Sequence, residues 1–342
     1  MKYGIILTLL LNYSNLFSQT VEAKQKYLSD PKIIWAVEVE KDYIVDHREK
    51  AEENRTNRIY TLKQLGITDE LSDEPNFSFN KLIEGAIFSN QIKIYADSNL
   101  TDEKDSLYVE RKDTILSDQN SLPKISYQRK GFDSLYEYRL RAIVFYNEKK
   151  ANWDIEVLAL APLYNVYDEN GNILIKNPWF WLKVRNDKPD IFSKDIIWAK
   201  RISDRDKMIH TFKHRFYNSF ISIKPIKELT FNHVKDFVDR MEKDSLLKVH
   251  AVTEDRLLSW KEKQRLIFQT DTINSDGKIY YITNRLNTDN LLQLRLVHNW
   301  FWDDKQKQLF IKLERIGPMT NVVDKNGNYL YMIPYFYRYT ED

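Results

Sequence analysis

Ile33-Ile34-Trp35-Ala36 recurs as Ile196-Ile197-Trp198-Ala199, and Pro162–Phe180 recurs as Pro318–Phe336. Each longer copy carries Asn-Gly-Asn, at Asn170-Gly171-Asn172 and at Asn326-Gly327-Asn328. The words keep their order, and the halves they mark are similar in size. An internal repeat of this length comes first, because it decides how many folding units to look for. Working outward, Arg139–Lys183 maps without a gap onto Arg295–Tyr339 at a shift of 156, with about a third of the positions identical. Phe145 meets Phe301, Pro162 meets Pro318, Asp168 meets Asp324 and Pro178 meets Pro334. Ungapped identity of this kind points to duplication and to two related domains.

Upstream of each copy lies an apolar stripe at helical spacing. Phe79, Leu82, Ile83, Ala86 and Ile87 form one, and Val234, Phe237, Val238 and Met241 the other. Each stripe precedes a short alternating run, Ile92–Tyr95 or Leu247–His250, of the kind a half-buried strand shows. Period-two hairpins follow. Tyr136, Tyr138, Leu140, Ala142, Val144 and Tyr146 share one strand face, and Trp153, Ile155, Val157 and Ala159 share the face of the return strand. In the second copy Leu292, Leu294, Leu296, Trp300 and Trp302 meet Leu309, Ile311 and Leu313. The Asn-Gly turns, whose residues tolerate positive φ, reverse the chain into a closing strand.

The expected fold class is therefore α+β, with two tandem related domains, each a small antiparallel sheet with one packed helix. The first spans 20–185 and the second 186–342, with Arg185–Lys194 as linker. Asn99–Leu135 and Val252–Thr288 interrupt the copies, differ between them and are polar, so they read as long surface insertions.

Composition narrows the function. Charged residues are 30% of the chain but the formal net charge is only +2, which gives no electrostatic case for nucleic acid or an anionic membrane. Only 8 Gly are present, against Gly-rich phosphate-binding folds; the 21 Tyr and 17 Phe suit strand packing. There is no Cys, so no disulfide, thiolate nucleophile, thiolate metal site or lipid-modified cysteine is expected. Residues 1–19 read as a signal peptide: Lys2, a short apolar run Tyr3–Leu11, then a polar end with cleavage near Ser18/Gln19. That run falls well short of the about twenty residues a membrane helix needs, and no other stretch could span a bilayer. The expected mature chain is exported, and any membrane attachment comes through a partner.

Candidate chemistry is thin. His210 and His214 have metal-ligand spacing on a possible helix, but Thr211 stands where a metalloprotease carries Glu, and no third ligand is near. Asp168-Glu169-Asn170-Gly171-Asn172 puts Gly at position four, which suits a tight turn better than a calcium loop. Asp303-Asp304 matches Asn147 in the first copy at its first carboxylate, and reads as a hairpin turn. Lys207–Phe220 interleaves basic and aromatic residues and reads as a solvated helix face. The remaining His residues have no His counterpart in the other half: Tyr95 matches His250 and Ala142 matches His298. No catalytic, cofactor-binding or metal residue is assigned, and no cofactor is expected.

The repeated words resemble the GldN/PorN family of gliding motility and type IX secretion in Bacteroidota. The resemblance rests on Trp35 through His47-Arg48-Glu49-Lys50 and on the helix and strand Leu82–Ile87 and Ile92–Ser98. It rests also on Trp300-Phe301-Trp302-Asp303-Asp304-Lys305 with Arg315-Ile316-Gly317-Pro318, on Phe145–Lys149 with Leu160-Ala161-Pro162, and on Pro178-Trp179-Phe180-Trp181. It covers most of the mature chain, once per half. It implies a non-enzymatic periplasmic scaffold that binds an outer-membrane lipoprotein of the GldK/PorK type and enters a ring or homo-oligomer. Contact residues would come from Trp179, Trp181, Tyr335 and Tyr337, some of which must be core because alternate strand positions face opposite ways. The alternative is an exported aromatic-rich glycan- or ligand-binding module, which would expose a row of such rings in a groove.

Overall fold

Ile33, Trp35 and Val37 are buried at the start of the chain's first long strand, and the architecture grows from that strand. The computed structural model describes residues 19–45, 79–105, 110–115, 124–129, 137–167, 173–187, 195–203, 222–227, 232–254, 256–275, 278–291, 293–323 and 328–340, with a few single positions between them. The signal-peptide core, the His210/His214 pair, the Asp168–Asn172 turn and Lys207–Phe220 lie outside the described residues.

In chain order the elements are α1 (Gln19–Ser29), β1 (Ile33–Ile44), α2 (Phe79–Phe88), β2 (Ile94–Tyr95), β3 (Glu103–Lys104), β4 (Glu110–Ile115), β5 (Lys124–Arg129), β6 (Glu137–Asn147), β7 (Asn152–Tyr167), β8 (Ile173–Pro178) and β9 (Trp181–Leu182). They continue with β10 (Ile196–Ser203), β11 (Ser222–Lys227), α3 (His233–Lys243), α4 (Trp260–Ile267), β12 (Phe268–Ser275), β13 (Lys278–Arg285), β14 (Gln293–Asp303), β15 (Gln308–Val323), β16 (Tyr329–Pro334) and β17 (Arg338–Tyr339). The class is α+β with antiparallel sheets. The first sheet runs β11-β1-β6-β7-β9-β2-β3, with β8 also on β7; the second runs β10-β14-β15-β16, with β17 also on β15. Hairpins β4–β5 and β12–β13 stand apart as two-stranded sheets.

The two sheets break register at aligned positions. Shifts fall between Ile33/Trp35 and Ile196/Trp198, between Arg141/Ala142 and Val297/His298, and between Val166/Tyr167 and Val322/Val323. The middle bulge corrects the face expected for β7. An extra residue flips the alternation, so Trp153, Ile155, Val157 and then Leu160 face the main core, while Ala159 packs with Ala161 and Trp181 on the other side. Each closing turn is also seated alike: Trp179 N–H donates to Pro162 O at 2.9 Å, and Tyr335 N–H to Pro318 O at 2.7 Å.

Both halves build one core. Phe79, the first residue of α2, packs on Tyr138 of the first sheet and on Trp198 and Trp300 of the second, with ring centroids 5.2, 4.6 and 5.8 Å away. Phe237 of α3 packs on Trp153 of the first sheet and Phe336 of the second, at 4.6 and 5.3 Å. Tyr43 on β1 reaches His298 and Trp300 on β14. The helices carry the stripes expected of them, with Phe79, Ile83, Ala86 and Ile87 buried in α2 and Val234, Phe237, Val238 and Met241 in α3. The linker is itself a stitch. Arg185 N–H donates to Leu309 O and its carbonyl accepts from Ile311 N–H on β15, while the Asn186 side-chain amide pairs with both backbone groups of Val157 on β7. The strand expected over Ile92–Tyr95 shortens to β2, and Leu247–His250 makes only backbone bridges, from His250 to Leu257 and Tyr337.

The insertions hold more order than their polarity suggests. Glu110–Arg129 contains β4–β5, and Val252–Thr288 contains α4 and β12–β13. Period-two burial does not mark β12–β13, because neither face of β13 is covered.

Candidate interaction surface

Helix α3 ends against α4, and that junction mounts a hairpin whose return strand is exposed along its whole length. Asn232 caps α3 by accepting from Lys235 N–H at 2.8 Å. Ser259 and Glu262 close a capping box on α4, and Arg256 grips the Glu262 carboxylate. Hydrogen bonds from Ser259 and Arg256 hold the Glu262 carboxyl at about 2, with Arg256 the larger influence. Lys263 lies buried on the inner face of α4. Its Nζ donates to the carbonyls of Ser245 and Leu247 at 2.8 and 2.9 Å, beyond the last turn of α3, where a cation is favoured.

β12 leaves α4 directly and β13 returns, paired from Phe268↔Arg285 to Ser275↔Lys278. The base is fastened. Ile267 is buried, Leu286 N–H donates to its carbonyl at 2.7 Å, and Arg285 bonds Asp239 and Glu242 of α3 at 2.6 and 2.8 Å. Gln269 donates to the Tyr335 hydroxyl, which in turn donates to Leu266 O. Beyond that base no third strand pairs with the arm among the described residues. Ile279, Tyr280, Tyr281 and Ile282 follow one another on β13 at 59, 50, 72 and 42% exposure. An isolated hairpin is marginal in water, and Ile279 with Tyr281 on one face and Tyr280 with Ile282 on the other leave apolar side chains open on both sides, the kind of exposure that marks a protein-binding surface. A second apolar strip, Tyr329, Leu330, Tyr331 and Ile333, lies exposed along β16 at the rim of the second sheet.

The residues singled out from sequence fall elsewhere. Trp179, Trp181 and Tyr337 are buried, and Tyr335 is half-buried with its hydroxyl engaged at the arm's base. Those four rings therefore form no exposed row. Asp303 accepts from Gln306 backbone and side chain, and Asp304 pairs with Lys307, as a polar turn does. His233 Nδ1 accepts from Trp153 Nε1–H at 2.9 Å, and burial pushes this imidazole down to about 3. His298 lies fully buried beneath β1 and is likewise pushed down to about 3 by burial and by Lys41. Among the described residues no group of three His, Asp or Glu side chains could hold a metal ion. A cleft between β7 and β15 is lined by Asp154, Asn186, Ile311, Lys312 and Thr340. Its one carboxyl, Asp154, is held above the usual range by burial and accepts from Ile155 N–H. Sequence reasoning passed over Ile279–Ile282, although Asp276-Gly277 just before it is a hairpin-turn dipeptide between β-forming runs.

The described residues thus define an α+β protein whose accessible features are strand rims and an apolar arm. Residues 28–257, about two thirds of the chain, match the family described as gliding motility associated protein GldN. The chain belongs to that family, which ties it to the gliding motility and type IX secretion machinery. No curated protein matches its sequence. The matched span includes both β1 and the strand β11 that pairs with it, and ends at Leu257, ahead of the arm. No helix among the described residues is long and apolar enough to cross a membrane.

Proposed function

We propose that this chain is a non-enzymatic periplasmic assembly component of that machinery, built from two duplicated α+β units and held at the outer membrane through a lipoprotein partner of the GldK/PorK type. The exposed Ile279–Ile282 arm on its anchored base carries the reading: such an arm offers a partner apolar side chains and open strand edges. Framework residues recur in both halves, whereas His and paired acids do not recur at matched positions. The family role supplies the machinery; the arm supplies the contact. The experiment is crosslinking and co-purification from cell envelopes with wild type and the Tyr280→Ser/Tyr281→Ser variant. Enrichment of a motility or secretion lipoprotein by wild type, lost in the variant with the fold intact, is the expected result. Absence of any such component over control overturns the assembly reading; equal capture by both proteins overturns the role of the arm.

A further inference from the structure

The two halves differ at two places on the surface, and in the same way at both. At the shift of 156 that aligns them, β5 falls on Tyr280–Arg285 of β13, and each hairpin closes on an aligned arginine, Arg129 opposite Glu110 and Arg285 opposite Phe268. The arm is thus the second copy of a hairpin that both halves carry. Lys124, Ile125 and Ser126 stand in the first half where Tyr280, Tyr281 and Ile282 stand in the second. By the same shift β8 falls on β16, and Lys176 and Asn177 stand where β16 has Met332 and Ile333. Lys176 pairs with Glu137 of β6. Charge on an exposed strand discourages another strand from adding to it. The first half carries that guard at both places. The second carries it at neither, since no charged residue lies within Ile279–Asn284 or Tyr329–Pro334.

The two apolar strips also match in form. β13 is apolar on both faces, and so is β16: Tyr331 and Ile333 share one face, and the register break at Val322/Val323 turns Tyr329 to the other. The Tyr335 hydroxyl ties the arm's base to the end of β16, yet both strips stay exposed, so the arm does not cover its own rim. β16 ends the strand order of the second sheet. Area decides what covers the strips. The exposures are 42–72% on β13 and 37–48% on β16, so at about 200 Å² per large side chain the arm offers about 450 Å² and the rim about 350 Å². Either strip against its own image would bury only about 700–900 Å² in total, below the about 1,200 Å² at which stable interfaces begin. Arm on rim, taken twice about a twofold axis, buries about 1,600 Å², the size of a standard specific interface.

We infer that two copies of this chain join about a twofold axis, each laying the β13 edge of its arm against the β16 rim of the other. A single arm-on-rim contact leaves an arm and a rim open at the ends of a growing assembly, whereas the reciprocal pair closes on itself. A lipid surface is a poor occupant, because β12 brings Gln269, Thr270, Asp271 and Thr272 alongside β13, and an open hairpin would carry unpaired backbone groups into the bilayer. The pairing rests on the arm as a contact element, as the lipoprotein reading does, but each arm keeps its β12 edge for an envelope partner.

Sedimentation of the purified full chain, with no envelope component present, tests the pairing apart from the lipoprotein reading. Wild type should be a dimer at micromolar concentration. Tyr281→Lys and Tyr331→Glu should each raise the dimer dissociation constant at least about tenfold, with thermal unfolding unchanged because both side chains are exposed. An equal mixture of the two variants should recover dimers, since one contact is then wild type and the other sets the new lysine against the new glutamate. Tyr281→Ser and Tyr331→Ser carry the same test should a charged variant misfold, each weakening the dimer several-fold. Wild type that stays monomeric, a dimer untouched by both substitutions, or a mixture that stays monomeric overturns the pairing. An open series of larger oligomers shows head-to-tail contact and overturns the twofold exchange. A monomer that still captures a lipoprotein from envelopes assigns the strips to that partner and overturns the pairing; a dimer that captures none upholds the pairing and refutes the lipoprotein reading.

Discussion

Acid should unfold this protein early, and two buried imidazoles set the pH. His233 and His298 are both pushed from 6.5 to about 3, chiefly by burial, so each is neutral in the folded protein down to that pH. In the unfolded chain each binds a proton near 6.5. Between about 3 and 6.5 the unfolded state therefore binds more protons, and stability rises with pH across that window and falls as pH drops through it. Each imidazole contributes a slope of about 1.4 kcal/mol per pH unit, and by pH 5 each has cost about 2 kcal/mol relative to neutral pH. The pair removes about 4 kcal/mol, much of the 5–15 kcal/mol typical of a folded domain. Glu38, Asp97 and Asp239, whose carboxyls sit below their ordinary range, contribute stability that is lost only at lower pH, below about 4.5. Asp154, whose carboxyl burial raises, acts with the opposite sign, so the difference between wild type and a His variant, not the interval alone, isolates an imidazole. His298→Leu is the informative change, because both ring nitrogens of His298 lack a hydrogen-bond partner in the described structure. Leu removes an unpaired polar group as well as the titration, so the variant should match or exceed wild type at pH 7. Urea unfolding followed by tryptophan fluorescence at half-unit pH steps should show its slope about half that of wild type. An unchanged slope between pH 5 and 6.5 would refute the assignment.

The remaining expectations concern packing and charge. At Gly317 an added Cβ would lie 2.3 Å from Phe336 O and 2.9 Å from Tyr337 Cδ1. Gly317→Ala should therefore cost about 1–3 kcal/mol in chemical denaturation, although the aligned residue in the first half is Ala161. Glu38→Ala strips a buried Arg141 of its carboxylate and should cost about 3–5 kcal/mol by the same measurement; a loss under 1 kcal/mol would mean that Ser98 and Asn99 suffice as Arg141 partners. Arg285→Ala should change global stability by no more than about 1 kcal/mol, because its partners are partly exposed, yet speed amide exchange in β12–β13 selectively. Uniform exchange across the chain would show that Arg285 does not hold the arm's base.

Much of the fold was legible because apolar spacing and burial obey the same geometry. Phe79, Ile83 and Ile87 recur at helical period and face the core together, as do Val234, Phe237 and Met241. The strand alternation of Leu294, Leu296, Trp300 and Trp302 marked β14 for the same reason. What escaped were positions where local pattern and tertiary setting part. Ala159 continues the alternation of Val157 in sequence, but a bulge turns it away from the core. Trp179 and Trp181 are alternate strand-like residues, yet both are buried, because the first lies against Phe132 and the second on Ala159 and Ala161 across the sheet. The arm escaped because a hairpin open on both faces carries no burial period.

The sequence by itself determined the repeat, the α+β class and the helix faces, since these depend on residue order and on contacts within a turn or a hairpin. Only the tertiary structure decided that Phe79 and Phe237 each bridge both sheets, that Arg185 and Asn186 stitch β7 to β15, and that β11 crosses to β1. Those choices join residues far apart in the chain. Their apolar and charge patterns would fit a partner in either half, and shape, burial and pairing across the shared core select one.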